Sequence, residues 1–305
     1  LFRSTIFKLP AGTGRVALEG LLVRDKLVRS GRWFQWLLKL EPELAEFKAG
    51  TYRFTAGMTV RQMLKLLASG KEAQFTARFI EGSRLRDWQQ VLQQSKYLKH
   101  TLAGKSEAEI AAALGIPAGE TPEGHLYPDT YQYTAGMSDI ALLKRAHVRM
   151  NKALQAAWDG RDTSLPYKTP EELLTMASIV EKETAVPEER SKVASVFVNR
   201  LRIGMRLQTD PTVIYGLGAA FDGNLRKRDL QTDTPFNTYT RGGLPLPFIV
   251  MEKVSGSTLR TVLDDPRRRE FDRYFRRVWI PDESYFQTLV RRHSVRIESR
   301  SLTLA

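Results

Sequence analysis

One segment of the chain carries a nearly complete set of helix signals. Thr169 can cap a helix with its side chain, Pro170 suits the first helical position, and the helix dipole favours Glu171 and Glu172 in a first turn. The residues that follow are mostly apolar as far as Thr184. Because an apolar helix has to be covered by other elements, this segment is predicted to be a buried helix in a folded domain.

Strand and helix signals alternate on the N-terminal side of this helix. Alternating apolar residues predict strands at residues 5–9, 48–54 and 74–80. Apolar positions three and four apart predict helices at residues 15–28, 30–40, 60–68, 85–98 and 139–158, and after the central helix at residues 188–201. The stretch 124–131 combines glycine, proline and aromatic residues, which predicts an ordered loop. The predicted fold class is therefore α+β, in about two domains.

The chain is strongly basic. It has 47 Lys and Arg against 34 Asp and Glu, which gives a formal net charge of +13 and a pI of about 9.9. This charge favours a polyanionic partner, such as nucleic acid, anionic lipid or an anionic cell envelope. Zinc-finger, RNA-recognition and basic-zipper patterns are missing from the sequence, so no nucleic-acid partner is predicted.

Several kinds of chemistry are excluded by what the sequence lacks. Without cysteine, the chain has no disulfides, thiol nucleophiles or cysteine-bound metals. The four histidines lie far apart and none has HExxH spacing, so no metal site is predicted. Phosphate-binding glycine loops and G-x-S-x-G elbows are also missing, and no cofactor is predicted.

The sequence predicts no membrane span. The chain begins at Leu1, and no stretch approaches the roughly 20 apolar residues that a spanning helix needs. Any signal or anchor is therefore expected upstream of this fragment.

Two glutamates near the end of the central helix are the most informative feature for function. At about 100° per residue, Glu181 and Glu183 lie on opposite flanks of the buried face, so geometry alone does not choose between them. Glu183 shares its flank with Met176 and Ile179, whose bulk would keep water from the carboxyl and raise its pKa, as a general acid requires. The alternative is that both are solvated helix-end residues paired with Lys182, Arg190 or Lys192.

Polar and aromatic side chains recur in short loops after the central helix. Sugars offer hydroxyls for hydrogen bonds and flat C–H faces for stacking, so such loops beside an acidic helix suit a glycan-binding groove. The candidate residues for this groove are Gln208, Thr209, Asp210, Tyr215, Asn237, Thr238 and Tyr239.

Longer segments resemble a known family. The runs at residues 176–184, 193–201 and 205–216 closely resemble the YceG-like endolytic murein transglycosylases, and the same pattern includes residues 127–131, 237–239 and 243–245. Near the start, residues 48–52 and 58–60 look like the LysM-like glycan-binding module of that family. The resemblance covers residues 5–245.

The resemblance implies a mechanism that needs one carboxylate. In lytic transglycosylases a small hydroxyl residue follows the catalytic glutamate, and Glu183 with Thr184 matches this pattern, whereas Glu181 with Lys182 does not. Glu183 would act first as general acid and then as general base, and the product would be a 1,6-anhydro sugar. Asp210 would be a supporting acid that either steadies positive charge or holds a loop. The loop residues above, with Thr184, would bind the substrate.

The resemblance also implies a domain order and a location. Residues 1–75 would form the LysM-like module and residues 76–305 a mixed α/β catalytic domain, with a connecting subdomain at 76–165 and an atypical, arginine-rich tail at 246–305. The substrate would be peptidoglycan glycan strands, cut endolytically while nascent, with cell-wall synthases as partners. The family is held in the bacterial inner membrane by an N-terminal helix that this fragment would lack, with its catalytic part on the periplasmic side.

Two other functions remain open at this point. In a glycan-binding scaffold without catalysis, the LysM-like part would tether an inactive catalytic domain. A basic nucleic-acid binder would instead show steep salt dependence of DNA binding.

Overall fold

The computed structural model describes residues 4–29 and 34–245, which fall into two compact units. The first unit ends at Asp159 and the second begins at Gly160. The predicted start of the second helix, at residues 30–33, and the atypical tail at 246–305 lie outside the described residues.

The first unit opens with a two-stranded antiparallel sheet. Strand β1 (Thr5–Leu9) pairs with β2 (Gly50–Phe54), and Phe7 faces Tyr52 in the register. The chain between the strands forms helices α1 (Arg15–Arg24) and α2 (Phe34–Leu40) and a 3-10 turn (Pro42–Ala45). The buried faces of these elements share one hydrophobic cluster with the helix that follows β2, α3 (Val60–Ser69).

Helix α3 shows how local sequence sets the ends of an element. The Thr59 hydroxyl accepts a hydrogen bond from the Gln62 backbone N–H, and the Gln62 side chain accepts one from the Thr59 N–H. This reciprocal cap satisfies donors that the first turn leaves unpaired. Gly70 ends the helix at φ +69°, a left-handed conformation that glycine adopts at low cost.

A second hydrophobic cluster of the same unit surrounds another small sheet. Strand β3 (Phe75–Arg78) pairs antiparallel with β4 (Thr130–Tyr133). The cluster also includes helices α4 (Leu85–Gln94), α5 (Glu107–Leu114) and α6 (Asp139–Asp159). Both clusters belong to one compact unit. The predicted domain boundaries at residues 75 and 165 stay predictions.

The second unit consists of helices and loops within its described residues, 160–245. Helix α7 (Pro170–Glu183) is followed by a 3-10 turn (Pro187–Glu189) and α8 (Arg190–Arg202). Two shorter helices complete it: α9 (Asp210–Leu217), which runs into a 3-10 turn (Gly218–Ala220), and α10 (Lys227–Gln231). Helix α7 is buried from Leu173 to Val180 and packs against α8 and α9.

The mixture of helices and small antiparallel sheets confirms the α+β class in its coarse form. The central helix begins where its signals place it, with the Thr169 hydroxyl accepting from the Glu172 N–H at 3.3 Å. In the described ranges, 4–29 and 34–245, no helix combines the length and the apolar character that crossing a bilayer takes.

Two elements of the first unit differ from the sequence prediction. The stretch predicted as a loop at 124–131 ends in the first two residues of β4, because Thr130 and Tyr131 pair with Arg78 and Ala77. Helix α5 was not predicted, although Ser106 caps it by accepting from the Glu109 N–H. Its exposed first turn gave only a weak periodic pattern.

Candidate active site

The last residue of helix α7, Glu183, lies half-buried where the helix meets the loop before α9. The Thr209 hydroxyl, from that loop, donates a hydrogen bond to Glu183 Oε1. The helix end therefore presents a carboxyl group that is partly shielded from water and fixed by a neighbour 26 residues further along the chain.

The surroundings of Glu183 raise its pKa above the ordinary value. Burial is the largest cause, because it penalises the charged form; the Thr209 hydrogen bond lowers the pKa, the negative charge of Asp210 raises it, and the positive charge of Arg200 lowers it. The raised pKa keeps a larger fraction of the carboxyl protonated near neutral pH. Glu183 is thus suited to donate a proton and, once ionised, to accept one.

The other glutamate of the pair has a different environment. Glu181 Oε2 lies 2.6 Å from Arg190 Nη2 at the start of α8, and the two side chains are 19% and 16% exposed. The sequence left Arg190 open as a partner for either glutamate, and the structure pairs it with Glu181. The two carboxyls of one helix end therefore differ: Glu181 is ion-paired, and Glu183 accepts a hydrogen bond from the Thr209 hydroxyl.

Three buried threonines hold the loop that contacts Glu183. Thr209, Thr212 and Thr238 are each at most 2% exposed. The Thr209 N–H donates to Thr238 Oγ1 at 3.0 Å, the Thr212 hydroxyl donates to the Thr209 carbonyl oxygen at 2.7 Å, and the hydroxyl oxygens of Thr212 and Thr238 lie 2.9 Å apart. The backbone of Thr209 is thus fixed on both sides of its side chain.

Arg200 belongs to the same region, although the sequence analysis did not select it. It lies near the end of α8, is 7% exposed, and its guanidinium donates to the carbonyl oxygen of Leu207. A buried arginine holds the chain two residues before Thr209 and places a positive charge close enough to act on Glu183. The signal that could have identified it is that Arg200 is the one charged residue in the segment 193–201.

Gln208 has an unusual backbone conformation beside this contact. Its φ is +50°, in the left-handed region that residues with a side chain adopt rarely. The Gln208 N–H donates to the Thr238 carbonyl oxygen at 3.2 Å, which is a further hydrogen bond between the loop before α9 and residues 237–239. The half-buried Gln208 side chain thereby stands next to Thr209.

Asp210, Tyr239 and Tyr215 lie at more open positions. Asp210 begins α9, is exposed, and accepts a hydrogen bond from the Tyr239 hydroxyl at 2.6 Å. Tyr215 is half-buried with its ring edge-on to Phe236, at 5.1 Å between centroids. Asp210 and Tyr239 offer a carboxylate and an aromatic ring at the periphery of the site, and substrate contact by Tyr215 stays a prediction.

Thr184 and Asn237 use their polar atoms within the protein. The Thr184 hydroxyl donates to Glu189 Oε2 at 2.9 Å and accepts from the Val186 N–H at 3.1 Å. Asn237 is 1% exposed, and its side-chain amide donates to three backbone carbonyls, those of Asp229, Leu230 and Thr232. Both side chains shape the loops around the site, and their direct contact with substrate stays a prediction, as it does for the buried Thr238.

The described loops also enclose a cavity of about 160 Å³. It is lined by Pro235, Asn237, Thr238 and residues 241–245. No group of three or more histidine or acidic side chains with metal-binding geometry occurs among the residues that the structure describes.

The sequence of the chain is similar to those of known bacterial proteins. An endolytic murein transglycosylase of Bacillus subtilis is 29% identical over 252 residues, covering 77% of this chain and 69% of the relative. One from Streptococcus pneumoniae is 26% identical over 292 residues, covering 84% of this chain and 52% of the relative, so the chain spans about half of that protein.

A crystal structure of a yceG-like protein from Listeria monocytogenes is 26% identical and covers 85% of this chain and 90% of that one, with a TM-score of 0.48. The model of the YceG-like family matches residues 7–298. This match spans most of the 305 residues, and the chain therefore belongs to the YceG-like family.

Proposed function

We propose that this chain is an endolytic murein transglycosylase, a lyase that cuts peptidoglycan glycan strands between N-acetylmuramic acid and N-acetylglucosamine, with Glu183 as its acid and base. The observation that carries the proposal is the half-buried Glu183 carboxyl at the end of α7, with its raised pKa and its hydroxyl partner. The names of the Bacillus and Streptococcus relatives support the same activity.

Two proton transfers complete the reaction. Protonated Glu183 gives its proton to the glycosidic oxygen as the bond from that oxygen to C1 of the muramic residue breaks, and N-acetylglucosamine leaves with a hydroxyl group. The muramic 6-hydroxyl then bonds to C1 while the Glu183 carboxylate takes its proton. The product end is 1,6-anhydromuramic acid, and Glu183 returns to its starting state. Because no water attacks, the second carboxylate of an ordinary glycosidase is not required.

Asp210 supplies the supporting negative charge in this proposal. Positive charge develops at C1 as the glycosidic bond breaks, and a carboxylate nearby lowers the energy of that state. The Tyr239 hydroxyl fixes one Asp210 oxygen at 2.6 Å, which holds the carboxylate in place. The negative charge of Asp210 also raises the pKa of Glu183, so it favours the protonated form that begins the reaction.

Residues 1–75 form a LysM-like glycan-binding module in this proposal. Its support is the LysM-like run at residues 48–52 and 58–60, together with the hydrophobic cluster that β1, α1, α2, β2 and α3 share within these residues. The module would bind the glycan strand while the second unit cuts that glycan strand.

The proposed substrate places the protein outside the cytoplasm, where peptidoglycan lies. The proposal includes an N-terminal anchor in the bacterial inner membrane, upstream of Leu1, and cell-wall synthases as partners that deliver nascent strands. The formal charge of +13 suits an anionic envelope surface.

Mass spectrometry of the products tests the proposed activity. Purified glycan strands incubated with the chain should yield 1,6-anhydromuramic ends, and a broad range of product lengths in the first minutes would identify endolytic cutting. Reducing muramic ends would identify a hydrolase and contradict the proposal. Tight binding with no new ends would instead support the non-catalytic scaffold.

A further inference from the structure

The two oxygens of Glu183 have unequal surroundings. Oε1 accepts the hydrogen bond from the Thr209 hydroxyl, whereas Oε2 has no hydrogen-bond partner within residues 4–29 and 34–245. The carboxyl is therefore held from one side. The side chain of Thr209 is buried and directed at the carboxyl, and the substrate contact that its sequence position suggests stays a prediction.

Hydrogen bonds from buried side chains hold the backbone of Thr209 in place. Its backbone N–H is bound by Thr238 Oγ1 and its carbonyl oxygen by the Thr212 hydroxyl, and both partners are at most 1% exposed. The Arg200 guanidinium donates a hydrogen bond to the Leu207 carbonyl oxygen and so holds the chain just before Thr209. A buried hydroxyl on a backbone held in this way has little freedom to follow a carboxyl that rotates, so it favours one orientation of the carboxyl.

We propose that Thr209 is a positioning residue that holds Oε1 of Glu183 throughout the reaction and leaves Oε2 to perform both proton transfers. This inference rests on the proposed function of Glu183. Oε1 keeps a lone pair toward Thr209 whether the carboxyl is protonated on Oε2 or ionised, so the same hydrogen bond serves both states. The oxygen that gives its proton to the glycosidic oxygen is then already aimed to take one from the 6-hydroxyl.

The Thr209 hydrogen bond also acts on the protonation of Glu183. The charged groups that face Glu183 are Asp210 from α9, which raises the pKa, and Arg200 from α8, which lowers it. The Thr209 donor lowers the pKa because it stabilises the ionised form. Removing that hydroxyl should therefore raise the pKa of Glu183 further.

Two substitutions of Thr209 in the full chain separate the hydroxyl from the side-chain volume. Thr209→Val keeps the branched shape without the donor, and Thr209→Ser keeps the donor without the methyl group. For Thr209→Val we expect kcat on purified glycan strands to fall by about tenfold with little change in KM. The alkaline limb of kcat/KM should move to higher pH, because activity requires protonated Glu183. Thr209→Ser should stay close to the parent in both.

A direct titration makes the test independent of catalysis. The 13C signal of the Glu183 carboxyl, assigned by its loss in Glu183→Gln, should titrate at higher pH in Thr209→Val than in the parent and in Thr209→Ser. An unmoved titration in a folded Thr209→Val protein would overturn the positioning role, as would a Thr209→Ser protein that is as impaired as Thr209→Val. If Glu183→Gln itself keeps full activity, the assignment of Glu183 is wrong, and the positioning role in catalysis is overturned with it.

Discussion

Glu123 in the first unit and Glu183 in the second are both carboxyls whose pKa is raised by burial, but only one of them suits catalysis. Glu123 is 7% exposed, and burial raises its pKa to about 7. Its Oε2 accepts from the Leu85 N–H at the first residue of α4. Glu183 is half-buried and is held by a side-chain hydroxyl.

The difference between the two sites shows that a raised pKa does not by itself identify a catalytic acid. Glu123 is enclosed by its own unit and binds a helix N-terminus, which is a structural role. Glu183 combines the raised pKa with partial exposure and with a carboxylate, Asp210, at the periphery of its site. The proposed proton transfer therefore suits Glu183, whose side chain is partly exposed, better than the buried Glu123.

The largest effect should come from replacing the two glutamates separately. Glu183→Gln is expected to lower turnover of glycan strands by about 10²- to 10⁴-fold or more, because one group serves both proton transfers. Glu123→Gln should leave turnover nearly unchanged. Mass spectrometry of anhydromuramic ends measures both.

The matched control for this experiment is Glu181→Gln, which changes the ion-paired glutamate of the same helix end. If Glu181→Gln abolishes cleavage and Glu183→Gln does not, the assignment within the helix is wrong. If Glu123→Gln is as damaging as Glu183→Gln, the contrast between the two regions fails.

The next effect concerns stability, and it should appear at Glu123. The folded-state pKa of about 7 lies above the ordinary 4.5, so the folded protein binds the proton more tightly than the unfolded chain. Its stabilising contribution is complete below pH 4.5 and is lost as pH rises through 7. Glu123→Gln should therefore gain about 1–3 kcal/mol over the parent at pH 8 and little at pH 4.

Denaturant unfolding of both proteins at the two pH values measures this gain. Glu120→Gln is the control, because Glu120 lies three residues away and its side chain is 47% exposed. A gain that is independent of pH would mean that Glu123 does not titrate as inferred.

A smaller effect is expected at Asp210. Asp210→Asn removes a negative charge that raises the pKa of Glu183, so the alkaline limb of kcat/KM should move to lower pH, opposite to Thr209→Val. Because Asp210 is exposed, turnover should fall only by roughly fivefold. A shift to higher pH would show that Asp210 does not act on Glu183 by its charge.

The smallest effect should be seen with Tyr239→Phe. This change removes the hydroxyl that donates to Asp210 at 2.6 Å and keeps the ring. The loss of one hydrogen bond near the surface should reduce kcat by roughly threefold. Loss of activity as large as in Glu183→Gln would mean that Tyr239 takes part in the proton transfers themselves.

The sequence predicted elements well where the signals are local. The Thr169 and Pro170 signals lie within a few residues of the helix they begin, and the start of α7 is confirmed. The predicted start of α3 at Val60 is confirmed as well. The prediction failed at β4, whose first residues were placed in a loop. Strand β4 exists because it pairs with β3, which lies more than 50 residues earlier in the chain, and no local pattern records that pairing.

The sequence by itself determined that an apolar helix ends in two glutamates, and the family pattern it carries pointed to Glu183. The tertiary structure decided what surrounds each carboxyl. Arg190 returns from α8 to pair with Glu181, and Thr209 returns from the loop before α9 to hold Glu183. Positions on one helix fix only the direction of a side chain, whereas its proton affinity depends on water, charges and donors that distant segments supply.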